Sequence, residues 1–253
     1  MIPLSILLRT GQYDIQIAEK TVRVVVRDSA VSVSFCVDNG LIPKLAKKSP
    51  VVGLDLHSSK NGRGGRSTNS LLVLCIDDYC LVVQLKHVDK IPDNLRRFLA
   101  DEKICFVGVD IDRKLSRGVP SPLSPLVCKT AVELSHLAAR IRKEPSLLND
   151  DIKALAKKVG VAKEVGISDE PADSGGSRDP RDNYEAKVFS GDELEALVFS
   201  EKEVKALALD AYVCYNIGRR LVEELLRDSS APSSCCFFNM SITNIIKKKK
   251  CLN

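Results

Sequence analysis

Four aspartates and one histidine are spaced so that they could gather around cations. Asp55 interrupts Val51-Val52-Gly53-Leu54-Asp55-Leu56-His57, a nearly continuous apolar run. Such a run reads as a strand buried on both faces, where an acid must be paired or must hold a cation. Asp110 and Asp112 follow a second apolar run, Ile104 to Val109, and Asp210 lies on a long amphipathic stretch. Carboxylates from several elements, converging on two divalent cations about 3.5–4 Å apart, can cleave phosphodiesters. His57 stands two residues beyond Asp55 and so shares its strand face. Imidazole suits manganese or zinc better than magnesium, which prefers oxygen ligands. Lys60, Arg63 and Arg66 in the glycine-rich loop after Asp55 are placed to meet substrate phosphates.

Each residue also has a plainer reading. His57 can be a hydrogen-bonded side chain in a relaxed pocket. Asp110 or Asp112 can cap the turn that follows. Asp210 borders an apolar stripe as a solvated acid would, and the loop cations suit a solvated hairpin turn.

The elements that would position these groups follow from periodicity. Tyr13 to Glu19 and Thr21 to Arg27 alternate as two strands of an extra N-terminal hairpin preceding the main sheet. Ser29 to Asn39 is compatible with strand or helix, and Leu41 to Lys48 with a short basic turn or helix. Ser70 to Ile76 and Cys80 to Leu85 flank an Asp77-Asp78-Tyr79 turn and form an antiparallel meander with the Val51 strand. A helix opening at Pro92-Asp93 precedes the Ile104 strand, so that strand should lie parallel to the Val51 strand. After a proline-rich bend come helices over about Ala131 to Lys143 and Asn149 to Val159, the latter stopping at Gly160. Ser200-Glu201-Lys202-Glu203 is a capping box. Behind it Val204, Leu207, Ala208, Ala211, Tyr215, Leu221, Val222 and Leu225 make one helical stripe.

The 253 residues suit one domain over 1–228, with an acidic, Pro/Gly/Ser-rich loop at 168–183 and a low-order tail at 229–253. The formal charge of +5 owes four units to Lys247–Lys250 in that tail, so the body is nearly neutral and net charge does not point to nucleic acid. The absence of Trp gives no sign of a base-stacking platform. Nine scattered cysteines without CxxC spacing suggest buried thiols and a reducing compartment, cytoplasm or nucleus, over a disulfide framework. No run approaches the ~20 residues needed to span a bilayer.

In sequence order, several blocks together resemble the plant members of the 3′–5′ exonuclease family related to the Werner syndrome exonuclease domain. That family belongs to the ribonuclease H-like superfamily. The blocks are Val51 to His57; Cys80 to Leu85 with Ile91-Pro92 and Phe98-Leu99; Phe106-Val107-Gly108-Val109-Asp110-Ile111-Asp112-Arg113-Lys114-Leu115; Lys129 to Ala139; Val188-Phe189; and Leu209-Asp210-Ala211-Tyr212-Val213. The resemblance implies an α/β fold with a mixed five-stranded sheet flanked by helices, a three-strand antiparallel meander joined to parallel strands. It also implies a site holding Mg2+ or Mn2+ when active. Asp55, Asp112 and Asp210 would be the catalytic metal ligands, with His57 or Asp110 as further candidates. The implied partner is nucleic acid, single-stranded or at a 3′ end, without a membrane; protein partners and a homo-oligomer stay open.

The chain departs from the family at His57, where the motif has Glu, and at Ala206, where it has the Tyr that positions water. The segment carrying Asp110 and Asp112 is also shortened. Tyr212 cannot replace that Tyr, since two helical residues turn it about 200° from Asp210. Losing a water-orienting group commonly costs about 10²- to 10⁴-fold. The sequence therefore supports a 3′–5′ exonuclease-family protein with a weakened or inactive site. The alternatives are a catalytically dead nucleic-acid or protein interaction scaffold and a hydrolase using Asp55 and His57 with another metal.

Overall fold

The computed structural model describes residues 11–38, 46, 49–58, 70–120, 123, 126–167, 193 and 198–228. The cationic loop with Lys60, Arg63 and Arg66, the acidic stretch 168–183 and the tail 229–253 lie outside the described residues, as does nearly all of the basic segment 41–48.

The strands are β1 (Gln12–Ile17), β2 (Lys20–Arg27), β3 (Val51–Ser58), β4 (Ser70–Ile76), β5 (Tyr79–Gln84), β6 (Cys105–Gly108) and β7 (Ala131–Glu133). They form one seven-stranded mixed sheet in the order β1-β2-β5-β4-β3-β6-β7. The meander β3-β4-β5 is antiparallel, and β6 runs parallel to β3 as the intervening helix requires. The N-terminal hairpin extends the sheet beyond the expected five strands, because β2 pairs parallel with β5, Val24 opposite Cys80. Its outer strand β1 alternates exposed and buried residues, as an edge strand with one wet face should. Strands β4 and β5 are buried along their whole length, matching their continuous apolar sequence.

Helices α1 (Ala30–Asp38), α2 (Asp93–Leu99), α3 (Ile111–Arg117), α4 (Leu134–Arg142), α5 (Ile152–Val159) and α6 (Glu201–Asp228) complete the described fold. The ambiguous stretch after Ser29 is thus helical, with the Ser29 hydroxyl accepting from the Ser32 amide at 3.3 Å. The helix expected from Ala131 begins three residues later, because Ala131–Glu133 pairs with β6 as the last strand of the sheet.

Helix α6 is the longest element and packs on β3, β4 and β6. Its capping box is formed: the Glu203 carboxylate accepts from the Ser200 amide at 2.7 Å, and the Ser200 hydroxyl accepts from the Glu203 amide at 3.3 Å. Gly53 is what lets α6 settle directly on β3, since a Cβ there would lie 1.9 Å from the Ala211 carbonyl oxygen. Gly108 does the same between strands, where a Cβ would come within 2.4 Å of the Leu54 carbonyl oxygen. Both close approaches converge on the middle of β3.

Cys75 and Cys80 stand directly opposite each other across the β4–β5 turn and are joined in a disulfide. This corrects the reading of those two cysteines as buried thiols, though one local staple is not a framework. Cys36, Cys105, Cys128 and Cys214 are free. Burial pushes the Cys105 and Cys128 thiols up to about 12, so neither is a nucleophile at neutral pH. No described helix is long and apolar enough to cross a membrane.

Candidate functional site

Asp55 is buried on β3, at 2% exposure, with Val73 of β4 beside it in the sheet. Its Oδ1 accepts from the Leu56 amide at 2.8 Å and from the Lys114 ammonium at 2.5 Å. Its Oδ2 lies 3.2 Å from His57 Nε2, yet no hydrogen bond of good geometry reaches that oxygen. Burial pushes the Asp55 carboxyl up, but His57, Lys114 and the Leu56 amide together outweigh it and hold the carboxyl below the usual range. The buried acid that the sequence exposes is therefore a paired acid.

Lys114 comes from α3, the short helix that follows β6. Two contacts fix that helix. At its start the Ile111 amide donates to a Glu133 carboxylate oxygen at 3.3 Å, tying α3 to the end of β7. Just past its end the Ser70 hydroxyl donates to the Gly118 carbonyl, tying it to the start of β4. Lys114, between these two anchors, points inward to Asp55. Burial alone would lower its pKa, but the Asp55 carboxylate, with help from Asp210, raises it.

His57 shares the face of Asp55, as the strand period requires. Its Nε2 lies 3.0 Å from the Leu207 carbonyl oxygen of α6. A carbonyl can only accept, so Nε2 carries the proton in this contact and has no lone pair there for a metal.

The remaining acids are less buried than Asp55. Asp112 sits exposed in the first turn of α3. Asp110 adopts φ +55° in the turn before α3 and pairs with Arg113. Asp210 is half-buried on α6, on the side of Lys114 and Cys214. Ala206, one turn earlier, is half-buried against the core. Tyr212 is buried elsewhere, its hydroxyl near Asn216 and Tyr215. Burial, with Asp55 and Asp210 adding to it, pushes the neighbouring Cys214 thiol well up and keeps it inert.

Among the described residues no group of three His, Cys, Asp or Glu side chains is placed to hold a metal ion. A divalent pair does not fit this arrangement. One carboxylate oxygen already carries an ammonium and a backbone amide, and the histidine is turned to a carbonyl. Lys114 is the site residue that sequence reasoning missed. The signal for it is the rule that a buried acid is either paired or metal-bound, which for Asp55 calls for a cation from a neighbouring element.

The fold and this site define a mixed α/β protein whose central strand presents a buried, lysine-paired aspartate. No family model matches the sequence, and no curated protein matches it. Among solved structures the chain is similar to EXD2 exonuclease domains. One, soaked in Mn and Mg, is 19% identical at a TM-score of 0.40, over 83% of this chain and 100% of that one. A second is 20% identical at a TM-score of 0.41, over 82% of this chain and 96% of that one. A third, soaked in Mn and GMP, is 18% identical at a TM-score of 0.39, over 83% and 98%. So distant a likeness carries no residue role and no activity across to this chain.

Proposed function

We propose that the protein is an exonuclease-fold, nucleic-acid-binding scaffold whose hydrolytic centre is closed. The observation that carries this reading is the 2.5 Å contact between Lys114 Nζ and Asp55 Oδ1. It sits where a hydrolytic centre built on β3 would need a metal, while Asp112 is exposed. Ala206 brings no hydroxyl to position water, and His57 supplies no second carboxylate. Affinity for nucleic acid would come from Lys60, Arg63 and Arg66 through phosphate contacts and would weaken with salt. The acid set Asp55, Asp112 and Asp210 remains the inherited pattern of the blocks described above.

The test is an incubation of the purified full chain with 3′-labelled single-stranded and recessed DNA and RNA, in magnesium and then in manganese. No shortening in either ion, with a retained and salt-sensitive gel shift, is the expected result. Laddered loss from the 3′ end that vanishes in Asp55→Ala would overturn the reading. Absence of both shortening and gel shift would leave the closed centre standing and sink the nucleic-acid role.

A further inference from the structure

We infer that the Lys114 ammonium is the resident cation of this site, occupying against Asp55 the place a divalent metal would take, so that the folded chain needs no divalent metal. The inference rests on the closed-centre reading and adds to it a cause and a consequence for binding.

The geometry supports it at several points. The ammonium contacts Asp55 Oδ1 directly, at 2.5 Å, as a charge-assisted hydrogen bond. Asp55 is nearly sealed from water and Lys114 is only 27% exposed on its side chain, so the pair is poorly screened. Lys114 does not turn its head outward as lysine stems on apolar surfaces usually allow. The anchors at Ile111 and Gly118 hold α3 so that the ammonium faces inward. Asp210 adds a second negative charge on the same ammonium. An ammonium and a divalent ion cannot share Oδ1, because their repulsion at that spacing is poorly screened.

Removing the ammonium while keeping the stem should therefore leave a cation position that an added metal can enter. Lys114→Met, Asp55→Asn and the double variant, melted in chelator, magnesium and manganese, test this. Wild type should melt at one temperature in all three. Lys114→Met should melt about 6–20 °C lower in chelator, and manganese should return at least about 2–4 °C. The double variant should regain most of the loss and ignore manganese, since it has neither charge of the pair. Manganese binding by wild type, an undiminished melting temperature in Lys114→Met, or a Lys114→Met loss that manganese leaves untouched would each overturn the inference. If Lys114→Met does not fold, Lys114→Gln, which keeps a donor to Oδ1, carries the same test. Laddering of DNA by wild type would sink the closed-centre reading whatever these melting curves show. An unchanged Lys114→Met would sink the lysine's role whatever the nuclease assay shows.

Discussion

Two ion pairs anchor different parts of this molecule, and they are unlike in kind. Lys114–Asp55 links α3 to the buried centre of β3, while Arg142–Glu224 links α4 to the far end of α6. The second pair has the better geometry, with both carboxylate oxygens engaged by guanidinium nitrogens at 3.0 and 2.7 Å. Its side chains are 22% and 28% exposed, against 3% for Asp55. Water can solvate Arg142 or Glu224 when its partner is removed, whereas Asp55 has nowhere to turn. The contrast teaches that here burial, more than hydrogen-bond count, decides what an ion pair holds together.

The sharpest way to break the contrast is to remove one partner from each pair. Lys114→Met should cost about 3–5 kcal/mol in urea unfolding, because it strands a buried carboxylate. Glu224→Gln should cost about 1 kcal/mol or less, and strong salt should shrink the difference between it and wild type. Asp14→Ala, which frees Arg23 from a pair more than half exposed on both sides, should stay within about 0.5 kcal/mol. Equal losses at Lys114 and Glu224 would mean that the depth of Asp55 has no energetic weight.

The pH dependence sharpens the same contrast. The Asp55 pKa is lowered in the fold. The stability it contributes is therefore present above the unfolded value of about 3.9 and is lost as pH falls through the folded pKa. The Lys114 pKa is raised, so its contribution is present below about 10.4 and is lost as pH climbs through the folded value. Unfolding free energy should show a plateau between these limits. Lys114→Met should lose the part of the alkaline fall that belongs to the pair, a change readable in urea midpoints between neutral pH and pH above about 10.

Much of the fold was legible because its signals are local. The hairpin, the meander, the Ile104 strand and the capped helix α6 each declare themselves by period, turn residues or caps. Ala131–Glu133 did not, because three residues running straight into Leu134 carry no period of their own; only pairing with β6 makes them a strand. Ser29 to Asn39 was undecided because its valines and serines suit either period, and the Ser29 cap settles it. At the site, Asp55 and His57 were legible from one strand face. Lys114 was not, since which side chain of α3 reaches β3 depends on how the helix is rotated by distant contacts at Glu133 and Ser70.

The seat of α6 on Gly53 bears on whether this chain could gain a second carboxylate beside Asp55. With no layer of side chains between helix and strand there, backbone atoms set how closely the Leu207 carbonyl approaches residue 57. Glutamate at that position would turn an acceptor toward a carbonyl now facing the His57 ring, and Lys114 would still hold Asp55. Building a carboxylate pair by single steps is therefore opposed: the first change breaks a settled contact before the second can supply a ligand.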